Sequence, residues 1–290
     1  MQAIKLLNNF RVDFHIHSTA SDGRWTPEQL VQQVRQSGIG LFAVTDHDTI
    51  GSVAQAEALA CDGGLAFLRG VEISSKVDGR LMHILAYGFD LTNESLRQFL
   101  VANKARLENY DDALLQILID AGYEIDLAEY DAYSWERRRG GWKSLNFLID
   151  KGFCGDVHGF FDKLFSGDLR VTFPNFPSPA EVVQVIQQAG GIPVWAHPAN
   201  SLSKNGEHAP EDDEAVVAMM VAAGIEGLEC YTCHHDPEWT GRCLAWAARY
   251  RLLVTGGSDS HGGFAGRRLG RPEVYWDDLL LGPIAERVIR

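Results

Sequence analysis

The 290-residue chain carries 39 acidic and 26 basic side chains, a formal net charge of −13, and is 46% apolar. That length and balance suit a large globular core and exclude a disordered or fibrous chain, while the acidity argues against a surface that wraps long nucleic acid. The longest apolar stretch, near 216–225, falls far short of the ~20 residues that cross a membrane. No signal-peptide order is visible, so a cytoplasmic protein without a membrane partner is expected.

In chain order, Val12–Ile16 predicts a first strand, and Thr26-Pro27 an N-cap and first turn of a helix ending near Gly38. Leu41–Thr45 is a continuous apolar strand, as expected where both faces are covered. A helix over about 52–60 leads to a strand at Ala66–Leu68. Gly70–Ser75 and Leu81–Tyr87 then flank Asp78-Gly79, the signature of a hairpin turn. From 93 to 150 the pattern is helical, and 152–178 is rich in Gly, Phe and Pro. After Pro179, three helix–strand units follow, with strands at Ile192–Ala196, Gly227–Cys230 and Leu252–Thr255. Repeated strand–helix units imply a parallel sheet, and this many imply a barrel. The expected fold is an α/β, distorted (β/α)7 TIM-like barrel. Its first part is 1–91, its second part 180–290, and between them lies a mainly helical, substrate-capping insertion, 92–179.

Chemistry-bearing residues collect where strands end. His15-Ile16-His17 sets two imidazoles side by side, because strand side chains alternate faces. Asp22, His47 in Thr45-Asp46-His47-Asp48, Glu72, His83, His197 in Ala196-His197-Pro198, and Asp259 and His261 in Gly257-Ser258-Asp259-Ser260-His261 complete the set. In strand–helix barrels functional residues sit at the C-terminal rim, and so many histidines and carboxylates on one rim frustrate one another without cations. Nitrogen and carboxylate ligands favour zinc, manganese or iron. Nine ligands exceed one ion's shell and suit two or three divalent ions. Paired ions ~3.5–4 Å apart bind a bridging hydroxide and clamp a phosphoryl group.

The five cysteines have irregular spacing and define no disulfide framework. Cys230-Tyr231-Thr232-Cys233-His234 matches the c-type haem attachment pattern, but that attachment follows export, so Cys230 is read as a core residue and Cys233 as a loop residue. His158 and His208 fall in loops and are set aside.

Together these motifs resemble the polymerase and histidinol phosphatase (PHP) family. The match runs from His15 to His261, and the insertion is similar to that of the subgroup acting on nucleotide phosphates and short RNA. The resemblance implies a seven-stranded distorted barrel with a trinuclear site. One ion would take His15, His17, Glu72 and Asp259, a second would share Glu72 and add His83 and His197, and a third would take Asp22, His47 and His261. The implied activity is a phosphoesterase that hydrolyses a small phosphomonoester such as a nucleotide, by attack of a metal-bridging hydroxide. Histidinol phosphate and short RNA are alternative substrates; amide hydrolysis is a further alternative, against which Glu72 stands where amidohydrolases use a modified lysine. The subgroup's Arg-x-His and Gly-Lys-Pro elements are replaced here by Gly141-Trp142-Lys143 and Gly167-Asp168-Leu169. Arg139, Lys143, Arg170, His235 and Arg267 are the expected substrate contacts. His235 or a metal-bound water is the candidate general acid, and Asp259 the other catalytic candidate. Trp135 and Trp142 are candidates for stacking on a base or for the insertion's own core.

Overall fold

A computed structural model describes residues 10–169, 173–203 and 210–290. One eight-stranded sheet, in the order β7-β6-β5-β4-β3-β2-β1-β8, wraps into a nearly closed barrel. Its strands are β1 (Arg11–Asp13), β2 (Ile39–Val44), β3 (Ala66–Val77), β4 (Arg80–Tyr87), β5 (Ile192–Trp195), β6 (Gly227–Tyr231), β7 (Leu253–Gly256) and β8 (Val274–Tyr275). The expected seven-stranded barrel gains an eighth strand, the two-residue β8, which pairs antiparallel with β1. Its brevity removes any periodic signal. The amide of Phe14 donates to the Gly256 carbonyl at 3.2 Å, drawing β7 back towards β1 and narrowing the remaining gap.

The helices form where sequence punctuation permits. α1 (Pro27–Gln36) starts at Thr26, whose hydroxyl accepts from Gln29 N–H while the Gln29 side chain reciprocates, a capping box with Pro at the first turn. α2 (Val53–Asp62) follows β2, α3 (Glu94–Asp120), α4 (Leu127–Ala132) and α5 (Lys143–Asp150) lie between β4 and β5, and α6 (Pro179–Gln188) begins at a second capping box, Ser178 with Glu181. α7 (Pro198–Ser203), α8 (Pro210–Ala222) and α9 (Pro237–Tyr250) complete the α-helices among the described residues. Inner and outer faces of the sheet separate by strand alternation. Leu41, Leu68, Leu85 and Val194 belong to one apolar cluster, inside the barrel. Phe42 and Val44 pack with α1 and α2, and Ile84 and Ala86 with α6.

The two stretches expected at 66–68 and 70–75 are one twelve-residue strand, β3, paired antiparallel along its length with β4. Asp78 and Gly79 both have positive φ (46° and 80°), which is why this turn takes Asp-Gly. Reversal of direction has a consequence for the site. β4 runs down from the rim, so His83 lies near its start, and Glu72 lies in the middle of β3. Neither ends a strand as expected, yet both reach the same rim.

The 27-residue α3 serves two cores. Leu96 and Leu100 pack with α6 against the sheet, whereas Leu114, Leu115 and Leu118 join Tyr130, Phe147 and Phe160 in a second cluster beyond the rim. Trp142 packs edge-on against Phe160 and belongs to that second core. Asn103, buried between the two, donates to Asp48 Oδ1 at 2.7 Å and to the Ser74 carbonyl at 2.8 Å, tying α3 to the barrel rim.

Candidate metal centre

All nine sequence-predicted ligands meet at one end of the barrel. His15, His17, Glu72 and Asp259 present one ligand atom each within a common 4.8 Å, as do His17, Asp22, His47 and His261, and also His47, Glu72 and His83. Glu72 is fully buried, and its two oxygens face different partners. Oε2 lies 3.1 Å from His15 Nε2, 3.2 Å from His17 Nε2 and 3.1 Å from His47 Nδ1. Oε1 lies 3.1 Å from His83 Nδ1 and 2.9 Å from His197 Nε2. Such a split is what a bridging carboxylate requires. Asp259 Oδ1 sits 3.4 Å from His15 Nε2 and 3.1 Å from His17 Nε2, and Asp22 Oδ2 sits 3.2 Å from His261 Nε2.

The donor atoms test whether cations belong here. His15 Nε2, His17 Nε2, Glu72 Oε2, Asp22 Oδ1 and Asp259 Oδ1 are all buried without a hydrogen-bond partner. Buried polar atoms in that state are costly and rare. Five of them converging, nitrogen lone pairs and carboxylate oxygens alike, fit divalent ions well. Electrostatics agree. Burial disfavours protonation of His15, yet Glu229, Glu72 and Asp259 raise its pKa well above the ordinary value. His17 is likewise raised to about 9 against its burial, by Asp259 and Glu72. Burial instead drives His47 down to about 3 and His197 well down. The rim carboxylates draw positive charge, which divalent ions supply without protonating the ligands.

The residues around each ligand explain the motifs. Asp46, next to His47, accepts from Ser18 N–H, Ser18 Oγ and Ser21 Oγ at 2.7 Å each, and from the Ser52 hydroxyl, pinning the His17 loop to the His47 loop. Asp13 accepts from the amides of Ser258 at 2.8 Å and Gly270 at 2.9 Å, fixing the loop that carries Asp259. A side chain at Gly257 would come within 2.4 Å of the His15 backbone, so that loop passes β1 only as glycine. His197 and Asp259 hold positive φ (30° and 49°), left-handed backbone that the surrounding bonds must sustain.

Glu229 is the functional residue that sequence reasoning missed. Fully buried on β6, its Oε1 lies 2.8 Å from His15 Nδ1, and its Oε2 accepts from the His197 amide at 2.9 Å. A carboxylate in the otherwise apolar Gly227–Cys230 run was the available signal, since a buried charge needs a reason. His261 is oriented similarly, Nδ1 at 2.8 Å from the Asp259 carbonyl. His234, also overlooked, places Nε2 2.7 Å from Asp259 Oδ2.

The expected substrate contacts fare differently. His235 does not face the ligands. Its Nδ1 lies 2.9 Å from the Cys230 carbonyl, its Nε2 accepts from the Ala199 amide at 3.2 Å, and its ring stacks on Trp239. Burial lowers its pKa to about 4, so it is a neutral brace behind His197, and the turn after β6 sends His234 inward instead. Arg139 is turned away into a bidentate pair with Asp150 at 2.7 and 2.8 Å. Arg267 reaches the centre but donates to Asp259 Oδ2 at 2.6 Å. Lys143 lies over the Tyr130 ring, 4.2 Å from its centroid, and donates to the Asp131 carbonyl at 3.3 Å. Arg170 and His208 lie outside the described residues. His158 is an exposed residue, as expected for one set aside.

A cavity of about 540 Å³ opens over the centre. Asp22, His47, His83, His197, Asp259 and His261 form its floor. Lys104, Arg137, Lys143, Tyr110, Trp135 and Phe161 are among the residues of its wall, contributed by the segment between β4 and β5.

The PHP domain family matches residues 13–188. This chain belongs to that family. A 5'-3' exoribonuclease of Haemophilus influenzae is 29% identical over 255 residues, 87% of this chain and 90% of the relative. A 3',5'-nucleoside bisphosphate phosphatase of Chromobacterium violaceum is 29% identical over 272 residues, 90% of this chain and 91% of the relative. A solved Bifidobacterium adolescentis structure, designated a metal-dependent phosphoesterase, superposes with a TM-score of 0.79 at 29% identity, covering 96% of both chains. The chain is a metal-dependent phosphoesterase, a hydrolase of phosphoric ester bonds.

Proposed function

We propose that the chain hydrolyses the phosphomonoester of a small nucleotide, of the 3',5'-bisphosphonucleotide or AMP type, with manganese, iron or zinc held by the nine rim residues. His15, His17, Glu72 and Asp259 hold one ion, Glu72 with His83 and His197 a second, and Asp22, His47 and His261 a third, with His17 and His47 at the boundaries between groups. When bound, these ions supply Lewis acidity towards the phosphoryl oxygens and lower the pKa of water. The protein's part is to hold that array rigid. Glu229 keeps the proton of His15 on Nδ1 and leaves Nε2 as a lone pair facing Glu72. Glu72, through its two oxygens, keeps neighbouring ligand groups in one register.

The observation that carries the reading is an acidic, histidine-lined floor facing a wall that bears Lys104, Arg137 and Lys143. A substrate with two anionic ends and an apolar middle suits such a cavity. One phosphate meets the floor, the wall cations meet a second, and aromatic side chains such as Trp135 flank a base. Segment 92–179 acts as the substrate cap. A reading as an exonuclease on short RNA is favoured by the Haemophilus influenzae relative. The deciding experiment assays the purified protein, loaded with manganese, iron or zinc, on mononucleotides, bisphosphonucleotides, histidinol phosphate and short 5'-phosphorylated RNA. Highest kcat/KM on nucleotides is expected, with Lys104→Ala raising KM about ten-fold or more by loss of one charge-assisted contact. Preference for RNA selects the second reading, preference for histidinol phosphate overturns the nucleotide assignment, and no phosphoester hydrolysis with any metal overturns the whole.

A further inference from the structure

We propose that Cys233, His234 and Oδ2 of Asp259 form a second site, for one thiophilic divalent ion, zinc or cadmium, beside the metal centre. Ligand atoms from these three residues lie within 4.8 Å of one another. Asp259 faces two ways: Oδ1 towards His15 and His17, Oδ2 towards His234 at 2.7 Å. One carboxylate thus joins the all-nitrogen-and-oxygen floor to a group that contains a thiol.

Cys233 and His234 are adjacent in the turn after β6, and Cys233 is exposed while Cys230, the other half of the sequence's Cys-x-x-Cys-His pattern, is buried. The pattern therefore does not act as a cysteine pair. Its second cysteine and its histidine are the part that meets a third donor in space. A thiolate with an imidazole selects softer ions than the floor does, so the two sites discriminate by ligand chemistry. Three protein ligands leave a fourth tetrahedral position open to water. Binding releases the thiol proton of Cys233 to solvent and takes His234 as the tautomer protonated on Nδ1, so that a sulfur and an Nε2 lone pair face the ion. The ion also competes with Arg267, which donates to the same Oδ2 at 2.6 Å, so occupancy detaches that arginine from Asp259.

The test uses the manganese-loaded full chain titrated with Cd2+ and followed by the ultraviolet thiolate-to-metal charge-transfer band. The wild type is expected to develop a saturable band that is absent from Cys233→Ser and retained in Cys61→Ser and Cys154→Ser. His234→Asn is expected to weaken the Cd2+ affinity about ten-fold or more. No saturable band in the wild type, or an equal band in Cys233→Ser, overturns the proposal. The readout needs no substrate, so it stands or falls apart from the nucleotide assignment.

Discussion

Glu229 shows how a residue that touches no substrate sets the chemistry of a centre. Its two oxygens hold the His15 ring and the His197 backbone at once, from full burial. Glu229→Gln retains the shape but replaces an acceptor oxygen facing Nδ1 or the amide with a donor, which turns the ring or leaves an N–H unpaired. Loss of such a partner typically costs ten- to hundred-fold in metal affinity. The expected result is a metal dissociation constant raised by about that factor, read by competition with a fluorescent chelator, with little change in the apo protein's helical signal by circular dichroism. An unchanged constant removes Glu229 from the centre. At this scale the motif residues were legible from the chain, because histidines and carboxylates recur beside short apolar runs. Glu229 and His234 were not, because each acquires its meaning only through a partner distant in sequence, the His15 ring at 2.8 Å for Glu229 and the Asp259 carboxylate at 2.7 Å for His234.

Among the elements, α3 joins the segment between β4 and β5 to the barrel, and its sequence announces this only in part. Its leucines gave the helix, but Asn103 and Asp111 point to partners far along the chain. Asp111 accepts from the Ser144 amide at 2.9 Å and from Tyr130 Oη at 3.2 Å, and also from the Ser144 hydroxyl, so it fastens α3 to α4 and α5. Burial outweighs these donors and lifts its pKa from 3.8 to about 6. Below about 3.8 the carboxyl is protonated folded and unfolded, and above about 6 it is ionised in both. Between them the unfolded chain binds fewer protons, so stability falls as pH rises through the window, by up to about 3 kcal/mol. Denaturant unfolding at pH 4 and pH 6.5 is expected to show this loss in the wild type and a correspondingly smaller one in Asp111→Asn. Equal slopes in the two proteins refute the assignment.

For the whole molecule, the rim cluster ties strands β1, β3, β4 and the loops after β2, β5 and β7 through histidines and carboxylates distant in sequence. Cations bound only by the folded chain stabilise it by mass action, about 2.7 kcal/mol for one site at a hundred times its dissociation constant. Chelation of the loaded protein is expected to abolish phosphoesterase activity and to lower Tm by roughly 5 °C or more, both restored by manganese. A chelated protein that keeps its activity contradicts metal dependence outright. The eighth strand belongs to this scale too. β8 is two residues long and exists because β1 offers it an edge.

The chain alone determined the types and order of the histidines and carboxylates at the rim and the strand–helix alternation, since these rest on local periodicity and on the chemistry of imidazole and carboxylate. Tertiary structure alone decided which ligand faces which oxygen of Glu72, because that depends on β4 running antiparallel and bringing His83 to the rim from its opposite end. It also turned His235 away from the centre, against the expectation for that residue, and brought His234 to Asp259 instead. Side chains one residue apart differ only by the turn that carries them, and that turn is shaped by Cys230, Ala199 and Asp259, contacts which no local pattern encodes.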